Sequence, residues 1–120
     1  MVVLSDICKE CNCICNAIHF QQNFENWTSG NNDIDKFIQD VQLSLHYIDG
    51  ESEVLEWIPY DKFYNIKNIT KKEFGANWID GNIVKWNDKN QKWKRKGQNI
   101  FVILKSLNDL RDIKSELSKV

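Results

Sequence analysis

Apolar residues recur at helical spacing in the first half of the chain. They occupy positions i, i+3, i+4, i+7 and i+11 of one stretch: Ile34, Phe37, Ile38, Val41 and Leu45. This spacing puts them on one stripe and predicts an amphipathic helix over residues 32–46. Asp33 and Asp35 fall in its first turn, where the helix dipole favours negative charge. The stripe needs a surface to pack on, either elsewhere in this chain or on a partner.

The second half of the chain carries strand-like runs separated by turn residues. Residues 63–70 alternate loosely, residues 78–86 are rich in aromatic and β-branched side chains, and residues 100–104 form the clearest buried strand. A polar turn separates Trp86 from Trp93. We therefore expect a hairpin that brings the two indole rings together on paired strands.

Helical spacing returns at the end of the chain, at Leu110, Ile113, Leu117 and Val120. The expected core joins the last strand to this helix through Phe101, Leu104, Ile113 and Leu117. The pattern as a whole predicts an α+β protein. A Cys-containing N-terminal segment and an amphipathic helix come first, followed by about three antiparallel strands with a long hairpin, and then a C-terminal helix.

Composition agrees with a folded chain that stays in the cytoplasm. With 120 residues, of which 42% are hydrophobic, the chain has room for one small core. Its longest apolar run, residues 100–104, is far too short to cross a bilayer, so no membrane partner is expected. The N-terminus lacks the basic and apolar regions of a signal peptide, which predicts a location in the cytosol or nucleus, and of these we expect the cytoplasm.

The charges are unevenly distributed. Residues 33–61 carry eight acidic side chains against Lys36 alone, and residues 85–96 carry six basic ones against Asp88. Two interpretations stay open: two solvated faces that attract each other, or a phosphate- or nucleic-acid-binding patch. A pI of about 6.1 is well below that of a typical nucleic-acid binder, so no nucleic-acid partner is expected.

Cysteines are concentrated near the N-terminus. Without a secretion signal they are expected to be reduced thiols or metal ligands, not disulfides. Only Cys8 and Cys11 have the two-residue gap of a zinc knuckle, and a structural zinc site usually needs a second pair. The candidate zinc ligands are Cys8, Cys11, Cys15 and His19. The alternative is a poorly ordered N-terminal segment.

The order of strand, Gly-containing turn, strand, and then a strand ending in a lysine before a helix resembles the small lobe of protein kinases. Residues 102–105, Val-Ile-Leu-Lys, are similar to the Val-Ala-Ile-Lys signature. The phrases at 57–63, 76–81 and 104–107 resemble those around the Gly-rich loop and third strand of a large, expanded fungal family of tyrosine-kinase-like kinases. Residues 19–30 resemble the N-terminal leader of that family.

This resemblance implies three regions and two sites. Residues 1–31 would form a partly disordered Cys-containing leader, residues 32–58 a helical leader, and residues 59–120 a partial kinase small lobe. Lys105 and Gly75 would be the residues of a residual ATP site, with Mg²⁺ as the accompanying ion. Zinc would be the other candidate cofactor.

The Gly-rich loop departs from the family pattern. Such a loop needs several glycines because its backbone must approach the phosphates closely. The family reads roughly Lys-Gly-Gly-Phe-Gly and then Lys-Val-Tyr-Arg, whereas residues 71–75 read Lys-Lys-Glu-Phe-Gly and lead directly to Ala76. Only Gly75 remains, the valine that covers adenine is missing, and Glu73 brings negative charge towards the triphosphate.

The third strand and the last helix depart as well. Ile103 stands where the family has the alanine that floors the adenine pocket, and overpacking of this kind costs about 1–3 kcal/mol. Family spacing places the glutamate partner of the lysine at position 120, which is Val120. Glu116 lies one helical turn earlier and is a poor substitute, so Lys105 is expected to lack its partner.

The expected function is that of a truncated, catalytically inactive protein-kinase-like protein. The 120 residues contain neither a His-Arg-Asp nor an Asp-Phe-Gly motif, so the chain has no catalytic base or metal ligands for phosphoryl transfer. It would become a kinase only if an in-frame catalytic half followed. The expected partner is a full-length kinase relative or another protein. The alternative is an interaction module that docks through helix 32–46 and the Trp hairpin.

Overall fold

In the described part of the chain two α-helices come first, followed by five strands and a third α-helix. The computed structural model of the protein describes residues 15–46 and 54–118. Within them lie three α-helices, α1 (Asn16–Gln22), α2 (Asn32–Leu43) and α3 (Leu110–Ser118). The five strands are β1 (Phe63–Thr70), β2 (Glu73–Trp78), β3 (Asn82–Asn87), β4 (Lys92–Lys96) and β5 (Ile100–Lys105). The predicted α+β class is confirmed.

The amphipathic helix α2 begins where the sequence predicts and ends earlier. The Asn31 side chain accepts hydrogen bonds from the backbone N–H groups of Asp33 and Ile34, which satisfies two donors that a helix start leaves open. At the other end, the Ser44 hydroxyl donates to the Val41 carbonyl and the helix stops at Leu43. His46, expected on a solvated helix face, therefore lies beyond the helix and is half-buried.

The contacts within the chain define two compact units, and each unit consists of two separate segments of the sequence. The first unit comprises Met1–Trp57 and Asn82–Lys96, and the second comprises Ile58–Gly81 and Gly97–Val120. The chain passes from the first unit to the second between Trp57 and Ile58, and the β3–β4 hairpin belongs to the first unit.

The first unit is built around α1 and the β3–β4 hairpin. Phe20 and Ile83 are buried together, and Trp93 packs against them. Trp93 stacks on Phe20 with ring centroids 4.4 Å apart. Trp86 lies directly opposite Trp93 in the hairpin, with their ring centroids 5.0 Å apart and nearly perpendicular. The predicted Trp hairpin is thus confirmed, and α1 covers its aromatic face.

The second unit contains a three-stranded antiparallel sheet in the order β1-β2-β5, with α3 following β5. Side chains alternate between its two faces. On one face Ala76 lies opposite Val102, and Ala76 is completely buried. On the other face Gly75 lies opposite Ile103, with Phe101 on the same side because it is two residues from Ile103.

The core predicted for this region is wrong. Phe101 is 61% exposed and Leu117 is 42% exposed, so neither is a core residue. Leu104 pairs with Phe74, which puts it on the face opposite to Phe101. An apolar run of five residues predicted a strand buried on both sides, but one side of β5 is open.

The hairpin of the first unit is inserted between two neighbouring strands of the second. Trp78 pairs with Ile100, and the Asn99 N–H donates to the Ile79 carbonyl at 3.2 Å, so the ends of the inserted segment are held together. The chain leaves and returns through Gly81 and Gly97, whose φ angles are 75° and 81°. Glycine adopts such angles without the steric penalty that a Cβ atom brings.

A search for membrane-spanning helices in residues 15–46 and 54–118 gave none of sufficient length and apolar character.

Candidate functional site

Lys105 is paired, contrary to the expectation from sequence. It is the last residue of β5, and its Nζ lies 3.0 Å from Oε2 of Glu116, which stands on the following helix α3. The prediction that Lys105 lacks a glutamate partner is therefore wrong. Family spacing predicts the glutamate at position 120, one helical turn after Glu116. The short connection between β5 and α3 instead brings Glu116 beside the end of the strand.

The electrostatics of Lys105 follow from this geometry. The hydrogen bond that Lys105 donates to Glu116, and then the negative charge of Glu116, raise the pKa of Lys105 above its ordinary value of 10.5. Glu73, which lies directly opposite Lys105 on β2, adds a smaller effect in the same direction. The ammonium therefore has one bonded carboxylate and a second one nearby, and stays charged throughout the physiological pH range.

Gly75 lies inside a strand and not in a loop. It belongs to β2, and the ring of Phe101 on β5 lies over it. A Cβ atom added at Gly75 would come within 2.8 Å of Phe101 Cζ and 3.4 Å of Ile69 Cδ1. An aromatic ring therefore packs closely against the backbone of Gly75, and a Cβ atom there would force the exposed ring of Phe101 to shift.

The connection between β1 and β2 is a tight turn. β1 ends at Thr70 and β2 begins at Glu73, so Lys71 and Lys72 alone form the connection. A loop that wraps around phosphates needs several residues whose N–H groups point inwards, and two residues do not provide them. The structure thus brings Gly75 and Lys105 to the same sheet face, with Ile103 between them along that face, but it contains no extended phosphate loop.

The candidate zinc ligands fall in two regions. Cys8 and Cys11 lie outside the described residues. Cys15 is buried at the start of α1, and its Sγ lies 3.3 Å from Nδ1 of His46. His19 faces elsewhere, because its imidazole ring stacks on Trp86 with centroids 3.9 Å apart. Among the described residues no group of three or more His, Cys, Asp or Glu side chains is arranged to hold a metal ion.

His19 has an aromatic environment. Trp93 meets its ring edge-on, with centroids 6.2 Å apart. Burial lowers the pKa of His19 below 6.5, while a hydrogen bond with Gln22 and the charge of Asp88 oppose this effect. Its Nδ1 is buried and has no hydrogen-bond partner among the described residues. The arrangement favours a neutral imidazole that packs as an aromatic ring.

The first unit also has a small cavity that sequence reasoning missed. Its volume is about 60 Å³, and its walls include Trp27, Trp57 and Trp93. Beside them Arg95 makes two hydrogen bonds to the Glu56 carboxylate, at 2.7 and 3.1 Å. The paired charges cancel locally, and the volume is large enough to hold water molecules.

The sequence contains a signal for the face of Phe101 but not for the residue that its ring covers. Phe101, Ile103 and Lys105 are spaced by two residues in one strand, so they must share a face. Only the pairing with β2 then fixes which residue lies under the phenyl ring. That pairing depends on the register across an inserted segment, which local spacing does not determine.

Comparison with known proteins adds no assignment to this geometry, because no protein-family model matches the sequence and no curated protein or solved structure gives a significant match.

Proposed function

We propose that this chain is a protein-kinase-like protein that transfers no phosphate by itself and retains at most a residual affinity for ATP. The observation that carries the proposal is the Lys105–Glu116 ion pair. A lysine at the end of a strand, paired with a glutamate on the next helix, is the arrangement that positions ATP phosphates in kinase small lobes. The antiparallel order β1-β2-β5, followed by α3, supports the same proposal.

The absence of activity rests on the other side chains of this face. Phe101 covers Gly75, Ile103 stands at the family's alanine position, and the β1–β2 turn consists of Lys71 and Lys72. The sequence contains no His-Arg-Asp or Asp-Phe-Gly motif to supply a base and metal ligands. A protein of this kind would act through binding, with a full-length kinase relative or another protein as its partner.

The alternative, docking through helix α2 and the Trp hairpin, gains no support from these contacts. Ile38 of the α2 stripe is buried, and α2 packs against α1. Trp86 and Trp93 are engaged by His19 and Phe20 within the first unit. Helix α2 and the Trp hairpin therefore both make packing contacts within this chain.

Nucleotide binding tests the proposal directly. Mg-ATP at about 1 mM should change the melting temperature little, because a ligand whose Kd exceeds its concentration stabilises by less than about 0.4 kcal/mol. The matched variant Lys105→Gln should give the same response. A clear rise in melting temperature that Lys105→Gln abolishes, or phosphate transfer from ATP that the same substitution abolishes, would contradict the proposal.

The ion pair itself needs a separate measurement. The pKa of Lys105 can be followed by NMR through the chemical shift of its Cε atom. In Glu116→Gln it should fall back towards 10.5, since the hydrogen bond and the charge of Glu116 are its main causes. Glu25→Gln, a substitution in the first unit, serves as the control. An unchanged pKa in Glu116→Gln would show that the kinase-like pair does not form.

A further inference from the structure

The β3–β4 hairpin has one aromatic face and one lysine face. Register places Trp86 opposite Trp93, and Lys85 opposite Lys94 on the other side. Side chains alternate along β4, so Lys92 and Lys96 share the side of Lys94. These four lysines, Lys85, Lys92, Lys94 and Lys96, form what we call the lysine face. All four are exposed, whereas Trp93 and Arg95 on the other side are half-buried.

Four positive charges lie together on the lysine face. None of its four members forms an ion pair with a described residue, whereas Arg95 on the opposite side is bonded to Glu56. Lys85 and Lys94 stand directly opposite each other, and like charges in that position destabilise a strand pair. Binding of an anionic surface to this face would reduce the repulsion between the two lysines.

The chemistry of this face fits phosphate better than it fits a protein surface. Protein interfaces are depleted of lysine and depend on a buried apolar centre, whereas the pairs across this face consist of lysines and asparagines. Asn82 pairs with Lys96, and Asn87 pairs with Lys92. Lysine and asparagine both donate hydrogen bonds to phosphate oxygens of nucleic-acid backbones.

We propose that the lysine face binds the phosphodiester backbone of a double-stranded nucleic acid. The aromatic side chains that stack single-stranded bases are on the other side of the hairpin and are packed against α1, which favours a duplex. The pI of about 6.1 argued against such a partner, but it averages over acidic residues elsewhere in the chain. Backbone contacts carry no sequence information, so binding is independent of sequence.

Fluorescence anisotropy with a labelled DNA duplex of about 20 base pairs, and with the RNA duplex of the same sequence, tests the proposal on the full chain. Four neutralised phosphates give a slope of log K against log salt of about −3.6, or about a hundredfold weaker binding between roughly 50 mM and 200 mM salt. Substituting Lys85, Lys92 and Lys94 by Gln should weaken binding at least about tenfold at the lower salt and reduce the slope to about −0.9.

The control changes the net charge equally at other sites. Lys36→Gln, Lys67→Gln and Lys71→Gln together should leave affinity and slope nearly unchanged. Folding of both triple variants is checked by thermal melting, and the lysine-face variant should melt no lower than the wild type because a like-charge pair is removed. Equal losses in both variants, no binding to either duplex, or tighter binding to labelled polyglutamate than to both duplexes would overturn the proposal.

Discussion

At the scale of single residues, aromatic packing controls the charge of His19. Its ring lies against Trp86 in a partly buried position, and this burial lowers its pKa below that of the unfolded chain. The folded protein therefore binds the proton less readily than the unfolded chain does. The contribution to stability is complete above about pH 6.5 and is lost as the pH falls below that value.

His19→Phe should remove this acid sensitivity, because phenylalanine keeps a flat ring for Trp86 and does not titrate. We expect the free energy of unfolding of the wild type to fall more between about pH 7.5 and about pH 5 than that of the variant. Urea unfolding followed by Trp fluorescence measures both.

Asp35 also titrates, but at a lower pH than the range of this test. Hydrogen bonds from Ser29 and Thr28 lower the pKa of Asp35, so its contribution to stability is lost only as the pH falls below 3.8. Identical pH dependence in the wild type and in His19→Phe would show that His19 is not held neutral by its neighbours.

Local spacing placed His19 in a candidate zinc set, and it could not show the ring on which His19 stacks. Cys15 and His19 are four residues apart, which made them plausible ligands. The stack with Trp86 depends on a hairpin that follows β1 and β2 in the chain. Which aromatic ring meets which side chain is decided by tertiary contacts and not by spacing along one segment.

At the scale of elements, the β2–β5 pair depends on a close approach between Gly75 and Phe101. Glycine inside a strand normally weakens it by about 0.5–1 kcal/mol relative to alanine. Here a Cβ atom on residue 75 would lie only 2.8 Å from Cζ of the Phe101 ring. Glycine avoids this contact at the cost of some backbone entropy, and the contact exists because β2 pairs with β5.

A double substitution separates these two effects. Gly75→Ala alone should destabilise the protein by about 1 kcal/mol, because the exposed ring must turn away. In the background of Phe101→Ala the same change should stabilise by up to about 1 kcal/mol, since only the backbone effect remains. Thermal or urea unfolding of the wild type, the two single variants and the double variant gives the coupling free energy between positions 75 and 101. A cost of Gly75→Ala that is the same in both backgrounds would rule out the close contact.

Elements whose signals are local were predicted from sequence. The stripe at Ile34 and Ile38 predicted α2, and the polar turn between Trp86 and Trp93 predicted the hairpin. The strand-like run 78–86 does not form one strand, because the chain turns at Gly81, where the φ angle is positive. The end of α2 was overestimated because apolar spacing continues to Leu45 beyond the last helical residue.

At the scale of the whole molecule, the second unit contains an insertion that belongs structurally to the first. The stem of this insertion is closed by the Trp78–Ile100 pair and by the Asn99–Ile79 hydrogen bond. The inserted residues Asn82–Lys96 supply Ile83, Trp86 and Trp93 to the first unit. Each unit thus has its own set of packed side chains and hydrogen bonds.

Replacing Asn82–Lys96 by a short Asn-Gly turn should affect the two units differently. The β2–β5 amides should keep their protection in hydrogen exchange, since the Trp78–Ile100 pair and the Asn99–Ile79 hydrogen bond that close the stem remain. Amides of α1 should lose protection, because Phe20 loses the ring that covers it. The variant Trp93→Ala, which leaves the connection intact, should reproduce only the second effect. Loss of protection in β2 and β5 would show that the stem does not hold by itself.

The sequence alone predicted the class of the molecule but not its division. Periodicity reports which residues face inwards within one element, and it contains no information on which unit that element joins. The hairpin 82–96 was therefore assigned to the same region as β2 and β5. Its Lys85 and Lys94 were counted as part of a charged segment, and only the strand register shows that they stand opposite each other.

The discontinuity of the first unit also sets an order of events during synthesis. Helix α1 emerges from the ribosome early, but Trp86 and Trp93, which cover His19 and Phe20, follow only after β1 and β2 have been made. Contacts between distant parts of a chain form slowly because a long loop must close first. Until Lys96 has appeared, Phe20 lacks its cover, so the nascent chain exposes an apolar helix face for which a chaperone would compete.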